Sequence, residues 1–450
     1  MVIDFTDLVV LIGTNPLPNY VVIKYFLKEN KHLQRIWLVC SDKTPLQAGT
    51  SEFANNIKEV IEAEFEDTNI DFEFHQVSLR NVGSGYWILN DLESKLEPLI
   101  PPNCKLHMNY TGGTKSMAVH TYQYFHGEYG GECSFSYLDG RDFKLKFDDD
   151  SNYETKDLKY EVGISLEKLF ELHSCEKKGK QINPSYIKTI EEFEKIINAD
   201  KLNEYLNWKD KYIRGIYYEG KFINKKRTFL KHNKLLNDQD IEQFRINFKN
   251  GTSDTIINLL RTLPVGKSIM DDNGDIWIPD EYITNNEYLE RLKTTIEDFL
   301  DGKWLEVYVN YVITRGIESD EILKELYNEG IIAIKDNLEI IKKSSGKNFE
   351  IDVILLNGYQ VCGISCTTSS KESLCKSKCF EIMHRVKQIG GEEAKSILIT
   401  CMEKDIKSFY EDLKDISGSG SHELIVLGLE DLKSSILWEK VREHIWGDDL

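Results

Sequence analysis

The chain has 450 residues, 41% of them hydrophobic and 29% charged, which is enough for two or three ordinary folded domains. Its formal net charge of −19 argues against a broad basic coat for nucleic acid but leaves room for a local basic groove. No apolar run reaches the length of a membrane span, the first residues carry no signal-peptide pattern, and nine cysteines without a paired framework read as reduced thiols. A cytoplasmic protein with no membrane partner is expected.

Residues 1–154 alternate strand and helix. Strands are predicted at 8–12, 36–40, 72–77, 106–110, 133–137 and 143–147, and helices at 19–28, 52–65, 86–99 and 116–129. This order predicts a doubly wound, Rossmann-like parallel sheet whose last two strands form a hairpin through Asp139-Gly140. The polar run at 148–152 marks a boundary. Residues 155–295 are polar, with helical patterns at 186–198, 201–214, 238–248 and 255–263, and predict a mainly helical connecting region. Its acidic run at 270–275 lacks the calcium-loop spacing and reads as a solvated turn before a strand at 276–278. Residues 296–450 open on an amphipathic helix through Phe299, Trp304, Leu305, Tyr308, Val309 and Val312. Strands at 331–334, 338–342, 349–356, 360–366, 396–400 and 424–427, with a helix at 373–388, predict a second α/β domain.

Two strand ends in the first domain carry small polar residues. One is Gly13-Thr14-Asn15-Pro16, and the other is Asn109-Tyr110-Thr111-Gly112-Gly113-Thr114-Lys115, which runs straight into a helix. Glycines allow close backbone approach, a helix N-terminus presents unpaired N–H groups, and Lys115 adds a full positive charge. In an open α/β sheet, ligands sit at such carboxyl ends. The ligand implied carries phosphate.

These paired signatures resemble those of CRISPR-associated Rossmann fold (CARF) domains, over about the first 150 residues. The resemblance implies a homodimer that senses a cyclic oligoadenylate, most simply cyclic tetra-adenylate, with the ring across the two-fold axis. Carried over by position, it implies that Gly13, Thr14 and Asn15 line one wall and that Ser41 and Asp42 lie in a flanking loop. Asn109, Thr111, Gly112, Gly113, Thr114 and Lys115 would cradle the phosphates.

In the C-terminal domain Glu350 and Asp352 are two apart on a strand and share a face, with Ile351 and Val353 expected to point together into a core. Glu306 lies on the helix upstream. Carboxylates converging from a helix and a hairpin suit a hard divalent cation, Mg²⁺ or Mn²⁺. The pattern resembles the PD-(D/E)xK nuclease domain, a restriction-endonuclease-like α/β fold. That resemblance places Glu306 and Asp352 as metal ligands and implies a DNA or RNA substrate. It also implies a Glu-x-Lys on the next strand, where this chain has Ser365-Cys366-Thr367. Two readings stay open. Either the cation has migrated to the following helix, where Lys378, Glu381 and Arg385 share a face and Glu350 or Glu381 supplies the missing carboxylate, or the domain binds nucleic acid or a partner without cutting. The spacing of Cys362 and Cys366 on a strand, about 13 Å by strand rise, points to core thiols instead of a zinc site.

Overall fold

The computed structural model describes residues 4–45, 49–148, 154–178, 186–214, 218–223, 226–229, 246–264, 267–270, 295, 299–343, 345–403, 405–418, 420 and 422–447. The expected acidic turn at 271–275, the strand at 276–278 and most of the polar boundary at 148–152 lie outside the described residues.

The first sheet contains β1 (Asp7–Leu11), β2 (Arg35–Ser41), β3 (Glu73–Leu79), β4 (Leu106–Asn109), β5 (Cys133–Asp139) and β6 (Lys144–Phe147) in the order β3-β2-β1-β4-β5-β6. The first five are parallel and β6 pairs antiparallel to β5 as the expected hairpin. All five residues of β1 are buried, as a central parallel strand covered on both faces requires. The crossover helices are α1 (Leu17–Glu29), α2 (Ser51–Phe65), α3 (Gly85–Asp91) and α4 (Lys115–Glu128). The helix expected over 86–99 is shorter than its pattern: it widens at Leu92–Leu96 and ends in a tight turn, Glu97–Leu99, whose Pro98 has no N–H to continue the ladder.

The second sheet runs β14-β13-β12-β11-β10-β7. It comprises β10 (Ile332–Lys342), β11 (Asn348–Asn357), β12 (Gln360–Thr367), β13 (Lys395–Thr400) and β14 (Leu424–Leu427). Its edge strand β7 (Cys175–Lys178) comes from the stretch expected to connect the two domains and pairs with β10. β8 (Tyr218–Ile223) and β9 (Lys226–Phe229) form a separate two-stranded ribbon. Helix Trp304–Ser319 packs on one face of the second sheet. Helix Glu372–Gly390 packs on the other. The two halves share a core: Val10, Val21 and Phe26 belong to the same cluster as Ile351, Leu356, Val361 and Val386. Leu158, Ile164, Leu169 and Phe170 of the connection fill it further.

One local feature departs from the sequence pattern and matters for the site. The strands expected at 331–334 and 338–342 are one strand, interrupted at Asn337, which has φ 49°. The β10–β11 ladder skips the Asn337–Asp352 pair. Ile351 packs in the core shared with the first half, whereas Val353 packs under helix Trp304–Ser319. An even pleat would put both on one face, as the sequence suggested. The hairpin changes faces at Asp352.

Candidate functional site: a glycine-lined strand end and a carboxylate cluster

At the carboxyl ends of β1 and β4 the two loops touch. A Cβ on Gly13 would come 3.0 Å from the Gly113 nitrogen, a Cβ on Gly112 would run into the Leu11 carbonyl oxygen, and Gly113 has φ 77°. Only glycine tolerates this packing without strain. Asn19, which the sequence reading did not single out, closes the same corner: its Nδ2 donates to the Leu11 carbonyl at 2.9 Å. Its signal in the sequence is an amide set among the apolar residues Leu17, Tyr20, Val21 and Val22 at the start of α1.

The eleven residues named for this site fall into two groups. Asn109 and Ser41 are buried and committed inward. Asn109 Nδ2 donates to Ser136 Oγ at 3.1 Å while its Oδ1 accepts from Thr111 N at 3.2 Å, and Ser41 N donates to Thr50 Oγ1 at 2.9 Å. The Thr111 hydroxyl accepts from Leu138 N at 2.7 Å, and Asn15 Oδ1 accepts from Leu17 N at 3.2 Å. Asp42 is half-buried, with its N–H donated to the Leu79 carbonyl. Thr14, Thr114 and Lys115 are exposed around the glycines. Thr114 caps α4 by accepting from Met117 N, which aims the first N–H groups of that helix at the open side. Beneath the cradle, His107 is sandwiched between Ser134 and Ser136 at 2.7 Å each, and burial pushes its pKa down to about 3.

In the second half, ligand atoms of Glu306, Glu350 and Asp352 all lie within 4.8 Å of one another. The helix start at Trp304 delivers Glu306, and the face change at Asp352 turns its carboxylate to meet it. Asp352 Oδ2 accepts from Ser365 Oγ at 3.0 Å and from the Cys366 backbone N–H at 2.7 Å. Glu306 is buried, and its Oε2 has no hydrogen-bond partner among the described residues. Burial first, and then the neighbouring Asp352, push its pKa up to about 8.

Lys378, nearly two turns into helix Glu372–Gly390, brings its Nζ to 3.9 Å from Asp352 Oδ2. Burial alone would lower its pKa, but Asp352, Glu306, Glu381 and Glu350 together hold it above the ordinary value. Glu381 pairs with Arg385 at 3.9 Å and is not part of the three-carboxylate group. Thr367 Oγ1 accepts from Ser369 N at 3.2 Å, so that hydroxyl shapes the strand end. A second cation, Lys303, stands 4.0 Å from Glu350 and 3.4 Å from Asn337 Oδ1, a role that its place just before Glu306 had not suggested. Cys362 and Cys366 pack in the core under helix Trp304–Ser319, and Cys375 and Cys379 in another cluster.

The fold therefore defines a Rossmann-like lobe with a glycine-lined strand end that opens into a helix N-terminus, fused to an α/β lobe that gathers carboxylates. Residues 8–167 match the family model described as the Card1 CARF domain, and that part of the chain is a CARF domain. Two solved structures are similar over nearly the whole length. One is Can2 from Sulfobacillus thermosulfidooxidans, in complex with cyclic tetra-adenylate, at 14% identity and a TM-score of 0.57, covering 98% of this chain and 99% of that one. The other is protein VC1899 from Vibrio cholerae, also at 14% identity and 0.57, covering 96% and 98%. No curated protein matches the chain. Among the described residues, no helix is long and apolar enough to cross a membrane.

Proposed function

We propose that this chain is an effector of type III CRISPR defence in which a cyclic oligoadenylate, most simply cyclic tetra-adenylate, binds the CARF domain of a homodimer and switches on cleavage of DNA or RNA by the C-terminal domain. The division we propose is 1–154 for the sensor, 155–295 for the connection and 296–450 for a PD-(D/E)xK-like nuclease. The ligand reading is supported by the cradle of Gly112, Gly113, Thr114 and Lys115 and by the cyclic tetra-adenylate in the Can2 structure. Thr14, Thr114 and Lys115 would contact phosphate; Asn109 and Ser41 would hold the loops in place.

The observation that carries the catalytic reading is the group of Glu306, Glu350 and Asp352 with Lys378 beside it. The group fits a hard divalent cation, Mg²⁺ or Mn²⁺. Three carboxylates crowd together, and one oxygen of the buried Glu306 is left unpaired, an arrangement that costs free energy until a cation shares it. Asp352 and Glu306 would hold the metal with Glu350 at its rim. A metal there neutralises charge on a phosphodiester and makes bound water acidic. Ser365 and the Cys366 N–H fix the Asp352 carboxylate, and Lys378, kept charged by its neighbours, orients the attacking water or the phosphate. Lys378 thus stands in for the Lys missing at Thr367, and Glu350 for the Glu missing at Ser365.

A second reading, a sensor that binds nucleic acid or a partner without cutting, is favoured by the Ser365 hydroxyl, which already satisfies the carboxylate that a metal must share. Incubating the protein with labelled DNA and RNA, with and without cyclic tetra-adenylate and Mn²⁺, separates the two. Cleavage that needs both additions and vanishes in Asp352→Ala supports the nuclease, and binding without cleavage under every condition supports the silent sensor.

A further inference from the structure

A cavity of about 470 Å³ separates the two lobes beside the β1 loop. Thr14, Asn15 and Phe53 line it from the CARF side, and Lys342, Phe349 and Lys387 from the other. The volume falls in the range that small ligands occupy. Asn15 lies against Gly391, where a Cβ would collide with the Asn15 amide, and Gly391, at φ 80°, ends helix Glu372–Gly390. That helix carries Lys378, about 18 Å from its end by helix rise. The cavity therefore touches both the proposed ligand loop and the element that places the proposed catalytic cation.

Its charge is unbalanced. Lys387 is already paired with Glu392 at 3.1 Å and Glu423 at 3.3 Å. Lys342, at the end of β10, makes no ion pair among the described residues. Burial and the Lys342 charge both lower the pKa of His173 in the same wall, to about 4, so that ring is neutral and offers the lysine no partner. A half-enclosed cation without a counter-charge, facing a threonine and an asparagine, is complementary to an anion.

We infer that Lys342 is a second-lobe ligand for the phosphate-bearing molecule held at Thr14 and Asn15, so that the messenger bridges the two lobes across this cavity. The inference rests on the sensor reading and names what that reading lacks. A ligand shifts an equilibrium only by the difference in its affinity for the two arrangements. A ligand gripped by one lobe alone is insensitive to where the other stands. One gripped by Thr14 and Lys342 favours the arrangement in which both reach it, and helix Glu372–Gly390 is seated in that same wall.

The test is calorimetric titration of the full chain with cyclic tetra-adenylate, comparing wild type, Lys342→Glu and Lys342→Arg, with melting temperatures recorded for all three. The expected result is an affinity at least tenfold weaker in Lys342→Glu, close to wild type in Lys342→Arg, with unchanged melting. Ligand-stimulated cleavage should fall with the affinity. Wild-type affinity in Lys342→Glu overturns the inference while leaving the sensor reading intact. If the wild type itself gives no heat, the sensor reading fails and the inference with it. Should Lys342→Glu melt early, Lys342→Met replaces it, with the same expected loss and the same overturning result.

Discussion

The two sites treat buried polarity in opposite ways. At the CARF strand ends most of the buried polar groups are neutral and matched, the Asn19 Oδ1 being the exception among the described residues. His107 sits between two serines, Asn109 bridges Ser136 and Thr111, and the Thr111 hydroxyl takes the Leu138 N–H. What faces outward is backbone, hydroxyl and one lysine. In the second lobe, three carboxylates share a few ångströms and one oxygen stays unpaired. In the proposed reading the first site is largely shaped before a ligand arrives, whereas the second, electrostatically incomplete, would be completed by a cation. A sensor gains from a preformed cradle, because little ordering remains to oppose binding. A metal centre gains from stored repulsion, because the cation relieves it.

Four substitutions bear on that contrast. Asp352→Asn should lower ligand-activated cleavage by roughly 10³-fold without changing the fold, read by gel assay with Mn²⁺ and by circular dichroism. Equal cleavage by the variant would remove Asp352 from the chemistry. Gly112→Ala should destabilise the protein by about 3 kcal/mol, since the Leu11 carbonyl that its methyl meets is backbone and cannot step aside. Denaturant unfolding reads this, and an unchanged midpoint would mean the cradle is not preformed. Lys378→Met should cost about 10²-fold in rate while leaving messenger affinity untouched, as single-turnover kinetics would report. Glu306→Gln should stabilise the metal-free protein at pH 8 by on the order of 2 kcal/mol while abolishing Mn²⁺ binding.

The sign of the last prediction follows from the raised pKa of Glu306. A carboxyl harder to ionise in the folded chain contributes its stability fully below the unfolded value near 4.5 and loses it as pH rises toward about 8. Metal-free wild type should therefore melt progressively earlier across that window. Glu306→Gln should flatten this dependence, and a variant as pH-sensitive as wild type would locate the repulsion elsewhere.

Much of this was legible in the chain. The alternation of strand and helix in the first lobe, its closing hairpin and the Gly112-Gly113 turn into α4 follow from local pattern, because strand ends and helix faces are written in short stretches, while Glu306, Asp352 and Lys378 were singled out through the resemblance to a nuclease family. The rest depended on contacts between distant segments. Nothing local says that Cys175–Lys178 would leave the connection and edge the second sheet, or that Asn337 would take a left-handed conformation and turn Asp352 across the hairpin. The pleat rule placed Ile351 and Val353 together, and the face change divides them between two cores. Lys303 and Lys342 were invisible for the same reason: a surface lysine becomes part of a site only when another element supplies the opposite wall.

Calorimetric titration of the purified full-length chain with cyclic tetra-adenylate tests the central claim most directly. Saturable binding at one ring per two chains, weakened at least tenfold by Lys115→Glu, is the predicted outcome. A flat titration with that ring and with its tri- and hexa-adenylate counterparts would contradict the assignment of the first lobe as the sensor.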